Sequence, residues 1–478
     1  MLDLALLGFI GVLLALGLKR PFFWVLAYIY IDVVAPQKIG WGFIQALPVS
    51  LVAFAAAFAG WLFLDSKQGS RFGARQALIA ILLIWCGVTT LSAAFPVEAA
   101  LKWAWVWKAM VFAMFLPLTL RTRLRIEAAA LIMVLSIATI VINGGLKTVL
   151  GGGGYGVLAL LVRENAGLYE GSILSTAAIA TIPLALWLAR HGTIFKPNWR
   201  VYGFVAGLVF ACLLIPVGTA ARTGLVCAAV LAVLLMRSVK YRFVYAGIAA
   251  LAMAAAIPFL PASFTQRMGT ISEYEGDESA STRVQVWKWT LDYVKERPLG
   301  GGFDAYLGNS FTYETRKVVG EGNTQTIEYN EVTDKARAYH SAYFEMLGEQ
   351  GWLGLFLWLL LHALGVWQME RIRWRFGKRE GGSKTWQWGL ATALQQSQIV
   401  YLAGALFVGI AYQPFIFMLV GLQCALWSYV QRTERVPNKA KFKRSGSQVP
   451  TPRPRKGVAP EHPSAAPVAL GPRLRGGA

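Results

Sequence analysis

Four side chains stand where their chemistry is out of keeping with their surroundings. His340 lies in ARAYHSAYFEMLGEQGWLGL, where polar residues run into a helical apolar pattern. An imidazole with a pKa of about 6.5 takes a proton from an attacking hydroxyl at neutral pH. Three arginines sit at the margins of apolar runs: Arg163 in LVRENAGLYEGS, Arg222 in GTAARTG, and Arg283 in STRVQVWKWTLDYVKERPLGGG. A guanidinium stays charged and presents a planar fork of donors, which suits phosphate oxygens better than an ammonium does. Each has a plainer reading beside the functional one. Arg222 also fits an interface arginine reaching for lipid headgroups, although its Gly, Thr and Ala neighbours favour a tight turn. Arg163 also fits a pair with Glu164 or Glu170, and an exposed loop histidine is often structural.

The elements that must hold these residues are membrane spans. Of all residues, 56% are apolar and only 15% charged, and apolar runs long enough to cross about 30 Å of hydrocarbon recur along the chain. That excludes a soluble multi-domain enzyme. Candidate spans fall near 1–18, 21–34, 43–64, 76–94, 101–120, 128–146, 170–189, 201–218, 223–236, 243–260, 351–367, 392–411 and 414–430, an all-α polytopic bundle of about 12–13 crossings. The first residues lack a basic leader and a cleavage site, so they read as a retained span. The cysteines Cys86, Cys212, Cys227 and Cys424 lie inside apolar runs without ligand or disulfide spacing and read as small hydrophobes.

Charge then orients the spans. The net charge of +21 is parcelled into short loops and the tail, a topology signal rather than a nucleic-acid footprint. Lys19 and Arg20, Lys67 to Arg75, Arg121 to Arg125, Arg190 to Arg200, Arg237 to Arg242 and Arg371 to Arg379 mark alternate loops, which are predicted to be cytoplasmic. The long segment 261–350 between the bundle 1–260 and the last helices 351–430 then faces outward. His340 is the one histidine on that side: His191 falls in a cytoplasmic loop, His362 in a span and His462 in the tail. Residues 431–478 form a basic, Pro-rich tail predicted to be disordered and cytoplasmic. EYEGDE (Glu273, Glu275, Asp277, Glu278) matches no coordination loop and reads as solvated. Trp287 and Trp289 read as interfacial tryptophans, and GGGG at 151–154 as a connector. No metal and no cofactor is expected.

The segment STRVQVWKWTLDYVKERPLGGGFDAY, followed by YHSAYFEMLGEQGWLGL, resembles the long-loop signature of the O-antigen ligase and O-antigen polymerase superfamily. That signature is an Arg-x-x-x-Trp helix, a Pro-x-Gly-x-Gly turn, and a His-(Asn/Ser)-x-Tyr/Phe helix leading to Gly-x-x-Gly. RPFFWVLAYIYIDVVAPQKIGWGF is similar to the exosortase-associated O-glycosylation ligase branch. The resemblance implies that His340 is catalytic and that Arg222, Arg283 and Arg163 bind pyrophosphate. Ala-Arg-Thr-Gly here replaces the family's Ser-Arg-Gly, and Ser341 follows the histidine in place of Asn.

The implied activity is metal-independent, inverting transfer of a glycan from an undecaprenyl-pyrophosphate donor to an acceptor hydroxyl. It would act at the periplasmic face of a bacterial inner membrane. Acceptors in view are lipid core, protein or polysaccharide; membrane lipids are expected partners and nucleic acid is not. A polymerase of the same superfamily shares this chemistry. A polysaccharide-lipid transporter is the alternative from another class, disfavoured because the unusual charges cluster at one face.

Overall fold

The structure is a computed structural model that describes residues 2–39, 43–150, 168–237, 241–244, 247, 251, 278–319, 326–377 and 385–435. Helices dominate: α1 (Leu2–Lys19), α2 (Phe22–Val34), α3 (Pro36–Ile39), α4 (Val49–Ala59), α5 (Ala74–Leu91), α6 (Pro96–Thr119), α7 (Arg123–Leu150), α8 (Gly171–His191), α9 (Trp199–Gly218) and α10 (Arg222–Met236). After them come α11 (Glu278–Glu296), the antiparallel hairpin β1 (Ser310–Val319) and β2 (Thr326–Lys335), α12 (Ala342–Gly377), α13 (Trp386–Gly404) and α14 (Pro414–Arg435). Among the described residues eight helical segments are long and apolar enough to cross a membrane, and Val49–Leu64 and Arg222–Met236 are shorter apolar helices. The chain is an all-α polytopic membrane protein, with the hairpin attached to the connection between α11 and α12.

Backbone amides in hydrocarbon must be satisfied within the segment, so these apolar runs become helices. Their association relies on close packing. Helix α8 is buried along nearly its whole length and packs against α13, α9, α10 and α7. All four cysteines are buried and free, as their apolar settings predicted.

The basic loops gather at one end of the bundle. Asp65 accepts from Arg121 at 3.0 Å and from Arg125 at 2.5 and 3.0 Å. Arg432 donates to the carbonyls of Gly69 and Arg121, Arg123 to that of His191 at 2.8 Å, and Arg237 pairs with Glu370 at 3.3 Å. A reporter fused near Gly322 and another after Lys384 should therefore report opposite sides of the membrane. Both reporters on one side would break the assignment of the two ends.

Several boundaries differ from the sequence reading. Arg75, read as a loop cation, is buried in α5, where it donates to Gln423 at 2.8 Å and Gln368 at 3.4 Å. Helix α13 begins at Trp386, ahead of the expected start at 392, and ends at Gly404 rather than 411, because residues 405–413 fold back to cradle α12. Helix α12 starts at Ala342, inside the segment read as loop, and kinks at Gly351 (φ 65°, ψ −168°). Most of the span expected at 243–260, the GGGG connector, Glu273 to Asp277, His462 and the tail beyond 435 lie outside the described residues, as does Arg163.

Candidate functional site

His340 ends the short strap that leads from β2 into α12. Its backbone is left-handed (φ 47°), as is that of Ala336 (φ 56°). Such conformations cost non-glycine residues about 1–3 kcal/mol each and persist only when the surroundings over-determine them. Here they do. Asn309 brackets the strap, its amide donating to the Arg337 carbonyl at 2.7 Å while its side-chain oxygen accepts from the Arg337 N–H at 2.8 Å. The indole of Trp287 on α11 donates to the Tyr339 carbonyl at 2.9 Å and stacks on Phe344, ring centroids 4.9 Å apart and planes at 2°. The Ala342 N–H donates to Ala405 at 2.8 Å. Trp287 thus pins the histidine's backbone. Its neighbour Trp289 stacks on Tyr293.

The His340 ring is exposed, yet its pKa is pushed below the ordinary histidine value. Partial enclosure is the larger cause, joined by the positive charges of Arg283 and Arg337 and opposed by Glu170. The imidazole is thus neutral, and able to accept a proton, at neutral pH. Arg283, near the start of α11, faces the same group of charges.

Arg222 opens α10 on a tight turn. Ala220 is left-handed (φ 48°), the Ala221 N–H reaches Pro216 at 2.9 Å and the Gly224 N–H reaches Ala221 at 3.0 Å. The first turn of α8 packs on this turn, for a Cβ on Gly171 would meet Thr219 at 2.9 Å and one on Gly224 would meet Pro216 at 2.6 Å and Ser175 at 2.7 Å. Glu170 caps α8 by accepting from the Ile173 N–H at 2.8 Å. One helix end thereby joins the Arg222 turn to the surroundings of His340. The charges near His340 are Arg283 and Arg337 against Glu170, with Arg337 itself paired to Asp334 at 2.6 Å, and at Arg222 the N-terminus of α10 adds its dipole.

A second charged group underlies this surface. Lys102 of α6 lies 2.8 Å from Glu345, 2.8 Å from Glu349 and 3.3 Å from Asp304, with Glu349 fully buried. The turn Pro298–Gly302 docks on the α12 kink, Gly301 N–H to Gly348 at 3.0 Å and Gly302 N–H to Glu349 at 2.9 Å. The approach is so close that a Cβ on Gly351 would lie 2.2 Å from the Pro298 carbonyl. Sequence reasoning passed over Lys102, which is embedded in the apolar run of α6. The spacing of Glu345 and Glu349, one helical turn apart, was the available signal. Among the described residues no group of three or more His, Cys, Asp or Glu side chains is arranged to hold a metal ion.

Residues 206–359 match the family described as O-antigen ligase. That region is O-antigen ligase-like. Residues 1–193 match a second family, described as of unknown function (DUF5935), and no curated protein matches the sequence. The ligase region carries Arg222, Arg283 and His340 together with Asp304, Glu345 and Glu349. Lys102 and Glu170, which complete the two charged groups, come from the N-terminal region. The candidate site thus draws on both matched regions.

Proposed function

We propose that the protein transfers a glycan from an undecaprenyl-pyrophosphate donor to an acceptor hydroxyl at the periplasmic face of a bacterial inner membrane. The observation that carries this reading is His340, neutral and exposed, beside Arg283 and joined through α8 to the turn bearing Arg222. The acceptor O–H gives its proton to His340 as its oxygen attacks the anomeric carbon. The bond from that carbon to the pyrophosphate oxygen breaks on the opposite face, inverting the centre. Arg222 and Arg283, with Arg163, take up the negative charge of the leaving pyrophosphate, electrostatic stabilisation that needs no proton donor. Segment 261–350 is the outward catalytic portion in this scheme. The N-terminal likeness to exosortase-associated ligases favours a protein or extracellular polysaccharide as acceptor.

Purified protein given a defined lipid-pyrophosphate glycan and separate candidate acceptors tests the scheme. Transfer of one chain to a chemically distinct acceptor is the expected product. A ladder built on the donor itself would assign a polymerase, and donor movement without a new glycosidic bond would sink the enzymatic reading.

The direction of the His340 shift makes a pH prediction. A lowered pKa keeps the base unprotonated to more acid pH, so the acid limb of kcat/KM should fall below about 6.5. Arg283→Gln removes a cation that disfavours the imidazolium, and the limb should move to higher pH. A limb that stays in place in that variant would separate Arg283 from the base.

A further inference from the structure

We infer that Lys102 is a positioning residue for His340, tying the long connection to the membrane helices so that the strap and the helix after it move as one body. The inference rests on the proposed glycan transfer and goes beyond it, since Lys102 lies outside the ligase-matched region and touches none of the proposed reacting groups. Its ammonium joins two segments to α6: Asp304 follows the Pro298–Gly302 turn, and Glu345 and Glu349 lie on the first turns of α12. The two glutamates each carry a further tie. Glu349 accepts from the Asp304 N–H at 3.0 Å, and Glu345 accepts from the Ala411 N–H at 3.0 Å, which brings in the fold-back between α13 and α14. The Ala94 N–H donates to Gly301 at 2.8 Å, so the loop before α6 holds the same turn.

Glu345 is only five residues beyond His340, and the intervening Ala342 N–H is bound to Ala405 of that fold-back. The left-handed histidine is therefore held between the Trp287 contact on one side and the Lys102 hub on the other. A buried carboxylate deprived of its cation repels its neighbour and is unpaired in a low-dielectric setting. Loss of Lys102 should accordingly release both the 298–304 turn and the start of α12. The Arg222 turn, held by α8 and Pro216, is anchored independently.

The test compares the parent, Lys102→Met, Glu349→Gln and the double variant in detergent, by donor affinity, single-turnover transfer and hydrogen–deuterium exchange. Lys102→Met should lower turnover on the order of 10²-fold, the cost of a small misplacement of a reacting group. Donor affinity should stay at the parental value, and exchange should quicken in both 298–304 and 339–345. The double variant, with one fewer unpaired carboxylate, should recover part of the turnover, which a purely destabilising change would not. Should Lys102→Met not fold, Asp304→Asn weakens one arm of the hub at nearly constant shape and should quicken exchange in both segments. Unchanged exchange at 339–345, or parental turnover, overturns the positioning role. Because the exchange arm needs no activity, quickened exchange in a protein whose parent transfers no glycan would leave this role standing and remove only the transfer reading.

Discussion

His340→Ala is expected to lower single-turnover transfer by on the order of 10²–10⁴, the usual loss for a missing general base, while leaving donor affinity nearly unchanged. The separation follows from the geometry. His340 reaches the site from an exposed strap after β2, whereas the donor's pyrophosphate is assigned to arginines on α10 and α11. The strap's hydrogen bonds run through the backbones of Arg337, Tyr339 and Ala342, so truncating the imidazole leaves them in place and the variant should fold. It should also relieve no strain worth a rate gain, because alanine in the left-handed region fares no better than histidine. The measurement is binding of the lipid-linked glycan beside its consumption in one turnover, with detergent-solubilised yield as the folding check. Bound donor should persist unconsumed. Transfer at the parental rate would remove His340 from the mechanism.

Arg222→Ala should weaken donor binding and turnover together, since in the proposed scheme a guanidinium at the mouth of α10 acts on the pyrophosphate both before and during its departure. Arg222→Lys should restore only part of either. A lysine keeps the charge but offers a point ammonium on a flexible stem, and cannot reproduce a two-pronged grip on two phosphate oxygens. The contrast with His340 is the informative part: one residue moves turnover alone, the other moves affinity as well. Normal binding and turnover in Arg222→Ala would relocate the pyrophosphate site. A full rescue by lysine would reduce the role of Arg222 to charge without geometry.

Much of the architecture was legible because hydrocarbon leaves little choice. Apolar runs become helices, and arginines such as Arg121, Arg123 and Arg125 mark their ends; in the structure these do meet Asp65 and the carbonyl of His191 at a common end. The hairpin was not legible. SFTYETRKVV and TIEYNEVTDK carry polar residues on both faces, so no sustained period-two alternation of apolar residues marks them as strands. Arg75 was misplaced for a related reason: its partners are the neutral amides of Gln368 and Gln423, far along the chain, and nothing local distinguishes it from a loop cation.

For the site, the residue types and their local motifs determined which groups could do chemistry: His340, Arg222 and Arg283 announce themselves as polar groups at the margins of apolar runs. Their joining is a property of the tertiary structure alone. It depends on Gly171 letting α8 reach the Arg222 turn, on Trp287 holding the backbone of Tyr339, and on Gly300 and Gly351 letting the loop turn seat in the α12 kink. Lys102 shows the limit most clearly. A lysine in an apolar run reads as an isolated cost of desolvation until folding supplies Asp304, Glu345 and Glu349 from segments some two hundred residues away. The stabilisation of a buried charge lies in its partners, and partners distant in sequence exist only once the chain has folded.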